Sequence, residues 1–240
     1  SHSYQIAVAA WNEDPHNAAL TYGDISTWDI SLVSDLSFLF QISSFNDDIS
    51  SWDTSSVTNM NFMFFAADAF NQNIGSWDTS SVEGMHGVFR QADVFNQNIG
   101  SWDTSSVTTM YDMFKEAWVF NQDIGSWDTS SVTTMRNMFY RAGDFSQDLT
   151  KWNVCTVGHF SKFKDDSLLS DDDQPYLGGI CIMDDKAALE LAIGEWISDS
   201  TPENGYANIY NWNVSAVTDM SGLFQDASGF NDDISRWDVS

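Results

Sequence analysis

The stretch WDTSSVTTMYDMFKEAWVFNQDIGS, Trp102 to Ser126, decides the fold because it is one of a series. The copy before it, from Trp77, reads WDTSSVEGMHGVFRQADVFNQNIGS, and the copy after it, from Trp127, reads WDTSSVTTMRNMFYRAGDFSQDLTK. The leading Trp recurs at Trp28, Trp52, Trp77, Trp102, Trp127 and Trp152, spaced 24 and then 25 residues apart. A fixed period in the twenties marks an array in which each unit buries its apolar side against its neighbours. Function is therefore to be sought in ladders, since a residue present in every copy forms a row along the stack.

Within one copy, Val57, Met60, Met63, Phe64 and Ala67 are spaced by three, three, one and three, which predicts one face of a short helix. Asp53, Thr54, Ser55 and Ser56 stand ahead of that stripe as cap residues. The segment Ile74 to Asp78 reads as a short strand, with parallel pairing from copy to copy. Asn46, Asn71, Asn96, Asn121 and Asn231 fall at the corner between the two, where stacked amides satisfy inward-turned backbone groups. The Met, Trp and Phe rows are core filling.

The run FNQDIGSWDTSSVTTM, followed by a Met-Phe pair, resembles the 25- to 26-residue repeat of BspA-like leucine-rich-repeat surface proteins of bacteria, mycoplasmas and microalgae. The likeness covers Tyr22 to about Phe163 and Tyr206 to Ser240. It implies a surface-exposed or secreted protein concerned with adhesion and with protein or matrix binding. The expected fold is an α/β repeat: a right-handed, leucine-rich-repeat-like solenoid with short parallel strands on one face, short helices on the other, and helical caps.

A chain of 240 residues that is 42% hydrophobic and 15% aromatic has ample material for a core. With 9 Lys plus Arg against 35 Asp plus Glu, its formal net charge is -26. That balance argues against nucleic acid and anionic membranes as partners, because both demand clustered cations. Basic proteins, divalent cations and simple solubility remain. No apolar run approaches the roughly 20 residues of a membrane span, so direct membrane insertion of this segment is not expected. The chain opens on Ser1 and stops just after a repeat begins, and it reads as a piece of a longer protein.

Ile6 to Trp28 and Leu189 to Trp212 resemble each other, with Trp11 matching Trp196 and Tyr22 matching Tyr206. Each reads as an amphipathic helix and a Pro-containing loop that cap an array. The expected organisation is a cap at 1–27, a first array at 28–164, an irregular acidic loop or linker at 165–185, a second cap-like helix and loop at 186–211, and the start of a second array at 212–240. Cys155 and Cys181 bracket the irregular segment, and a disulfide between them would staple it.

Asp29, Asp53, Asp78, Asp103, Asp128 and Asp238 form an acidic row, interrupted by Asn153 and Asn213. Three readings stand: turn-forming groups bonded to local backbone N–H, a stripe for a basic partner, or calcium ligands. Asp165, Asp166, Asp171, Asp172 and Asp173 are a separate candidate for calcium, or a solvated acidic loop. Thr54, Thr79, Thr104 and Thr129, with Ser55, Ser80, Ser105 and Ser130, read as helix caps or as a hydroxyl row for ice or glycan. Trp118 has no aromatic counterpart in other copies and is a candidate contact residue. Asn213-Val214-Ser215 is a glycosylation sequon.

His2, His16, His86 and His159 share no register, and no phosphate loop or nucleophile motif is present. The sequence thus predicts a non-enzymatic extracellular or cell-surface module for adhesion or structural assembly. Its repeated acidic surface would contact protein, polysaccharide or other copies of itself, without a cofactor. A calcium-stiffened array is the alternative.

Overall fold

The computed structural model describes residues 3–154, 156–157 and 160–175, and in the C-terminal part 186, 189–190, 193, 214–215, 217–225, 230–231, 233–235 and 237. Cys155, Cys181, Asn213 and Asp238 lie outside the described residues, and with them the disulfide, the sequon and the last Asp of the row.

The chain begins with two helices, α1 (Ser3–Glu13) and α2 (Pro15–Tyr22). Pro15 opens α2 rather than a loop, because the first helical position needs neither an N–H nor a free φ. Asp14 caps α2 by accepting from Asn17 N–H at 3.1 Å. Val8, Trp11 and Ala18 are buried in the same core as the coils. The Trp11 indole donates to Asp47 at 2.7 Å and meets Trp28 edge-on at 5.7 Å, so the helices cover the first coil.

The coils stack through aromatic ladders. Phe40, Phe64, Phe89, Phe114 and Phe139 follow one another with ring centroids 5.6–5.7 Å apart. Phe45, Phe70, Phe95, Phe120 and Phe145 form a second ladder at 5.9–6.1 Å. Within a coil the two rings stack at about 4 Å, as for Phe89 and Phe95 at 4.0 Å. Each buried indole also bonds two coils: Trp77 Nε1 donates to Ile49 O at 3.1 Å and Trp102 Nε1 to Ile74 O at 3.0 Å. Burying an indole without a partner for its N–H would cost free energy, and these bonds remove that cost.

The short helix expected over Val57–Ala67 and its equivalents is not there. The stripe residues are fully buried as a stripe should be, but they sit on a series of turns. N–H groups alternate in direction. Met60, Phe62, Phe64 and Ala66 donate forward to the carbonyls of Gly84, His86, Val88 and Arg90 in the next coil, while Met63, Phe65 and Ala67 donate back to the residue three before. An α-helix would consume every N–H internally and leave nothing to join the coils.

The geometry that permits this is left-handed backbone at two places per coil. Phe38 and Ile42, Phe62 and Ala66, Gly87 and Gln91, Asp112 and Glu116, and Asn137 and Arg141 all have positive φ. Each such conformation in a residue other than glycine costs on the order of 1 kcal/mol. Each of these ten residues points its N–H at a carbonyl of the next coil, which offsets that cost.

The strand expected at Ile74–Asp78 is also absent. Among the described residues, parallel pairing is confined to single bridges joining Asp35, Asn59, Gly84, Thr109 and Thr134 in succession. At the predicted site Gly75 N–H is taken by Asn73 Oδ1 at 3.1 Å and Trp77 N–H by Ile74 O at 3.2 Å. Side chains carry the coil-to-coil bonds there instead, as in Ser101 Oγ to Gly75 O at 2.8 Å.

The amide corner does form. Asn71 N–H donates to Asn46 Oδ1 at 2.9 Å, Asn96 N–H to Asn71 Oδ1 at 3.0 Å, and Asn121 N–H to Asn96 Oδ1 at 3.0 Å. Gln122 Nε2 adds a bond of 2.9 Å to the same Asn96 oxygen. Replacing Asn96 by Ala therefore strands the Asn121 N–H at a half-buried corner and leaves Gln122 Nε2 only its bond to Asn96 O at 3.0 Å, at an expected cost of about 1–2 kcal/mol. Urea unfolding followed by tryptophan fluorescence measures it, and a change below about 0.3 kcal/mol would mean that water satisfies the Asn121 N–H equally well.

Leu189, Ile193, Val214, Val217, Leu223 and Trp237 make a second, separate cluster in the C-terminal part. Lys186 reaches Asp219 at 2.9 Å, tying the helical residues to the coil that follows.

Candidate interaction surfaces

Asp29, Asp53, Asp78, Asp103 and Asp128 are exposed and recur in one orientation. Each carboxylate uses Oδ1 to accept the N–H two residues on, at 3.1, 3.1, 3.0, 3.0 and 2.9 Å. At the first four the Ser hydroxyl donates to the same oxygen at 2.6–2.7 Å. These bonds favour the ionised form and hold the carboxyls of Asp29, Asp53, Asp78 and Asp103 below the usual range. For Asp53 the charges of Asp29 and Asp78 pull the other way and lose. At these four residues hydrogen bonding thus outweighs mutual repulsion and favours the charged form.

The threonine row is not a surface. Thr54, Thr79, Thr104 and Thr129 are each 1% exposed. Their hydroxyls donate to the carbonyls of Asp78, Asp103, Asp128 and Asn153 in the next coil, at 2.7–2.9 Å. This overturns both the ice or glycan reading and the helix-capping reading of those residues. The recurrence is real, but the hydroxyls serve the stack.

The acidic loop does not gather into a cation site. Lys164 pairs with Asp171, Arg141 Nε lies 3.4 Å from Asp166, and Asp173 Oδ2 accepts from Ser170 Oγ at 2.6 Å. Leu149 N–H takes the backbone carbonyl of Asp173 at 2.7 Å. Among the described residues no three acidic, His or Cys groups converge where they could hold a metal ion. Of these carboxylates, Asp166 and Asp171 are taken by Arg141 and Lys164.

Trp118 is 48% exposed. Its ring lies over Gly143, where an added Cβ would stand 3.3 Å from it. The ring is therefore held in place on the neighbouring coil while half of it meets solvent.

A face made of non-repeating residues went unread in the sequence. Phe38, Phe62, His86 and Tyr111, one per coil, form a row with ring centroids 5.2, 4.3 and 4.5 Å apart. Cations lie among these rings and their neighbours: Arg90 over Phe65 at 5.3 Å, Arg136 over Tyr111 at 6.0 Å, and Lys115, Arg141 and Lys162 around Tyr140 at 5.5, 5.0 and 5.7 Å. Arg90 is anchored by Asp112 at 2.9 Å, a carboxylate 1% exposed that also accepts from Asn137 at 2.9 Å. Burial holds the His86 imidazole below its usual value and so keeps it neutral within the row. With Lys164, six of the nine basic residues belong to this stretch of the coils. Aligning the variable positions nine to fourteen after each Trp would have revealed it.

These features define a repeat protein of stacked coils with an acidic edge and an aromatic, cationic face. The chain belongs to the repeat family described as "Mycoplasma protein of unknown function, DUF285", which matches residues 15–99, 73–172 and 200–240. The stretch between the last two matches falls where the period breaks down. No curated protein and no solved structure matches the chain. No helix among the described residues is long and apolar enough to cross a membrane.

Proposed function

We propose that the chain is a non-enzymatic module of an extracellular or cell-surface protein, a right-handed leucine-rich-repeat-like solenoid that adheres through its aspartate edge to a basic protein partner. The observation that carries this reading is the exposed row Asp29, Asp53, Asp78, Asp103 and Asp128, each pre-aligned by a bond from the N–H two residues on, with the first four held below the usual carboxylate range by their hydrogen bonds. Pre-alignment lowers the ordering cost of a multi-point charge contact. The BspA-like resemblance and the family membership support a surface role, and stacking at the coil period supports the solenoid.

The test is binding to immobilised poly-L-lysine at low salt. Replacing all five Asp by Asn keeps an oxygen for each backbone bond and removes five charges. Binding is expected to weaken about tenfold, and the wild-type contact to fade as salt rises. Because depressed pKa values keep the charge down to lower pH, wild-type binding should persist at pH 4, where an ordinary Asp is already half protonated. Equal binding by the Asn variant would remove the edge from the function.

A further inference from the structure

We infer that the aromatic, cationic face docks the aspartate edge of a second copy of this chain, so that copies assemble edge to face. The inference rests on the edge reading above and names its partner. Lys115, Arg136 and Lys162 stand one in each of three successive coils and have no ion pair among the described residues. Each is held over a tyrosine ring, which fixes a long side chain in place.

What they face must be anionic and must repeat. The rings of Phe62, His86 and Tyr111 follow one another at 4.3 and 4.5 Å with tilts of 50° and 32°, too close for a sugar ring to enter between them, and aromatic edges carry the positive end of the quadrupole. A row of protein carboxylates fits that surface better than a polysaccharide does. The chain itself supplies such a row, one carboxylate per coil. Edge and face climb the same stack with the same coil spacing, so a second copy laid alongside in parallel and displaced by one coil sets Asp78, Asp103 and Asp128 against the coils of Lys115, Arg136 and Lys162, whereas an undisplaced copy would set Asn153 against the last of them. The two contacting surfaces differ, so the contact is heterologous and leaves a free edge and a free face for the next copy.

The net charge of -26 on every copy makes the salt dependence distinctive. Whole-molecule repulsion reaches further than the local attraction and is screened first. Association should peak near 0.1 M salt, where the screening length is about 10 Å, and fall on both sides.

Sedimentation velocity across protein concentration and salt tests this with two variants. One replaces Lys115, Arg136 and Lys162 by Gln; the other replaces Asp53, Asp78, Asp103 and Asp128 by Asn. Wild type is expected to form open-ended oligomers, and each variant alone to stay monomeric, with association weakened about tenfold or more. Mixing the two restores one intact edge and one intact face, so a dimer that grows no further is expected. A wild type that is monomeric at every salt, or a Gln variant that assembles as wild type does, overturns the inference. If the monomeric wild type instead binds heparin through the three cations, the face belongs to an acidic glycan. Poly-lysine binding that survives a monomeric wild type leaves the edge reading intact and sinks only the partner.

Discussion

Replacing Phe89 by Ala should lower the stability of the first array by about 3–5 kcal/mol. Phe89 is fully buried, with Phe64 at 5.7 Å on one side and Phe114 at 5.6 Å on the other. Phe95 at 4.0 Å and Trp102 at 6.0 Å close the remaining sides. No neighbour can collapse into the space, because each is itself fixed in a ladder. The coil that loses its ring also loses contacts to both neighbours, and stability in such an array is a sum of nearest-neighbour terms. Urea unfolding should therefore resolve into two transitions, with coils on either side of the lesion melting separately. Phe38→Ala, which removes a ring 48% exposed at the end of the outer row, supplies the comparison and should cost below about 1 kcal/mol. Equal losses from the two variants would show that neither full burial nor the inner ladder sets Phe89 apart.

The period, the aromatic core and the amide corner were legible in the sequence because each depends on residue type recurring at a fixed offset. Secondary structure was not. Spacing of three, three, one and three marks one face of a helix, and a series of three-residue turns buries the same residues. What separates the two is positive φ at places such as Phe62, Ala66 and Glu116, and those residue types give no hint of it. Gly87, Asp112 and Asn137 do tolerate left-handed backbone, yet they read as ordinary variation. The threonines misled for a different reason. Recurrence says that a residue matters in every coil, but it does not say whether the side chain faces solvent or the next coil. The aromatic, cationic face repeats neither residue type nor offset, since Phe38 and Phe62 stand ten residues after their Trp and His86 and Tyr111 nine after theirs.

Gly100→Ala should cost about 3 kcal/mol although it adds a single methyl group. A Cβ at this position would stand 2.4 Å from the backbone carbonyl oxygen of Asp123 in the next coil. Gly75 and Gly125 face Asn98 O and Asp148 O at 2.4 and 2.5 Å. Their φ values are ordinary, so the demand for glycine here comes from close approach between coils and not from backbone freedom. A carbonyl oxygen cannot rotate aside as a side chain can. Relief requires the two coils to move apart, which stretches the ladder bonds and the ring stacks together. Gly84 separates this effect from the general penalty for adding a methyl group. There the Cβ would meet at 3.0 Å a side-chain amide, that of Asn61, which is tied only by the His86 N–H at 2.8 Å and can shift by a few tenths of an ångström, and the equivalent positions already hold Asn59, Thr109 and Thr134. Gly84→Ala is accordingly expected to change stability by less than about 0.5 kcal/mol. The pair is read by thermal and urea unfolding of the two variants side by side. Should Gly100→Ala prove as mild as Gly84→Ala, the coils are more loosely seated than these contacts require, and tight backbone approach is not what sets their spacing.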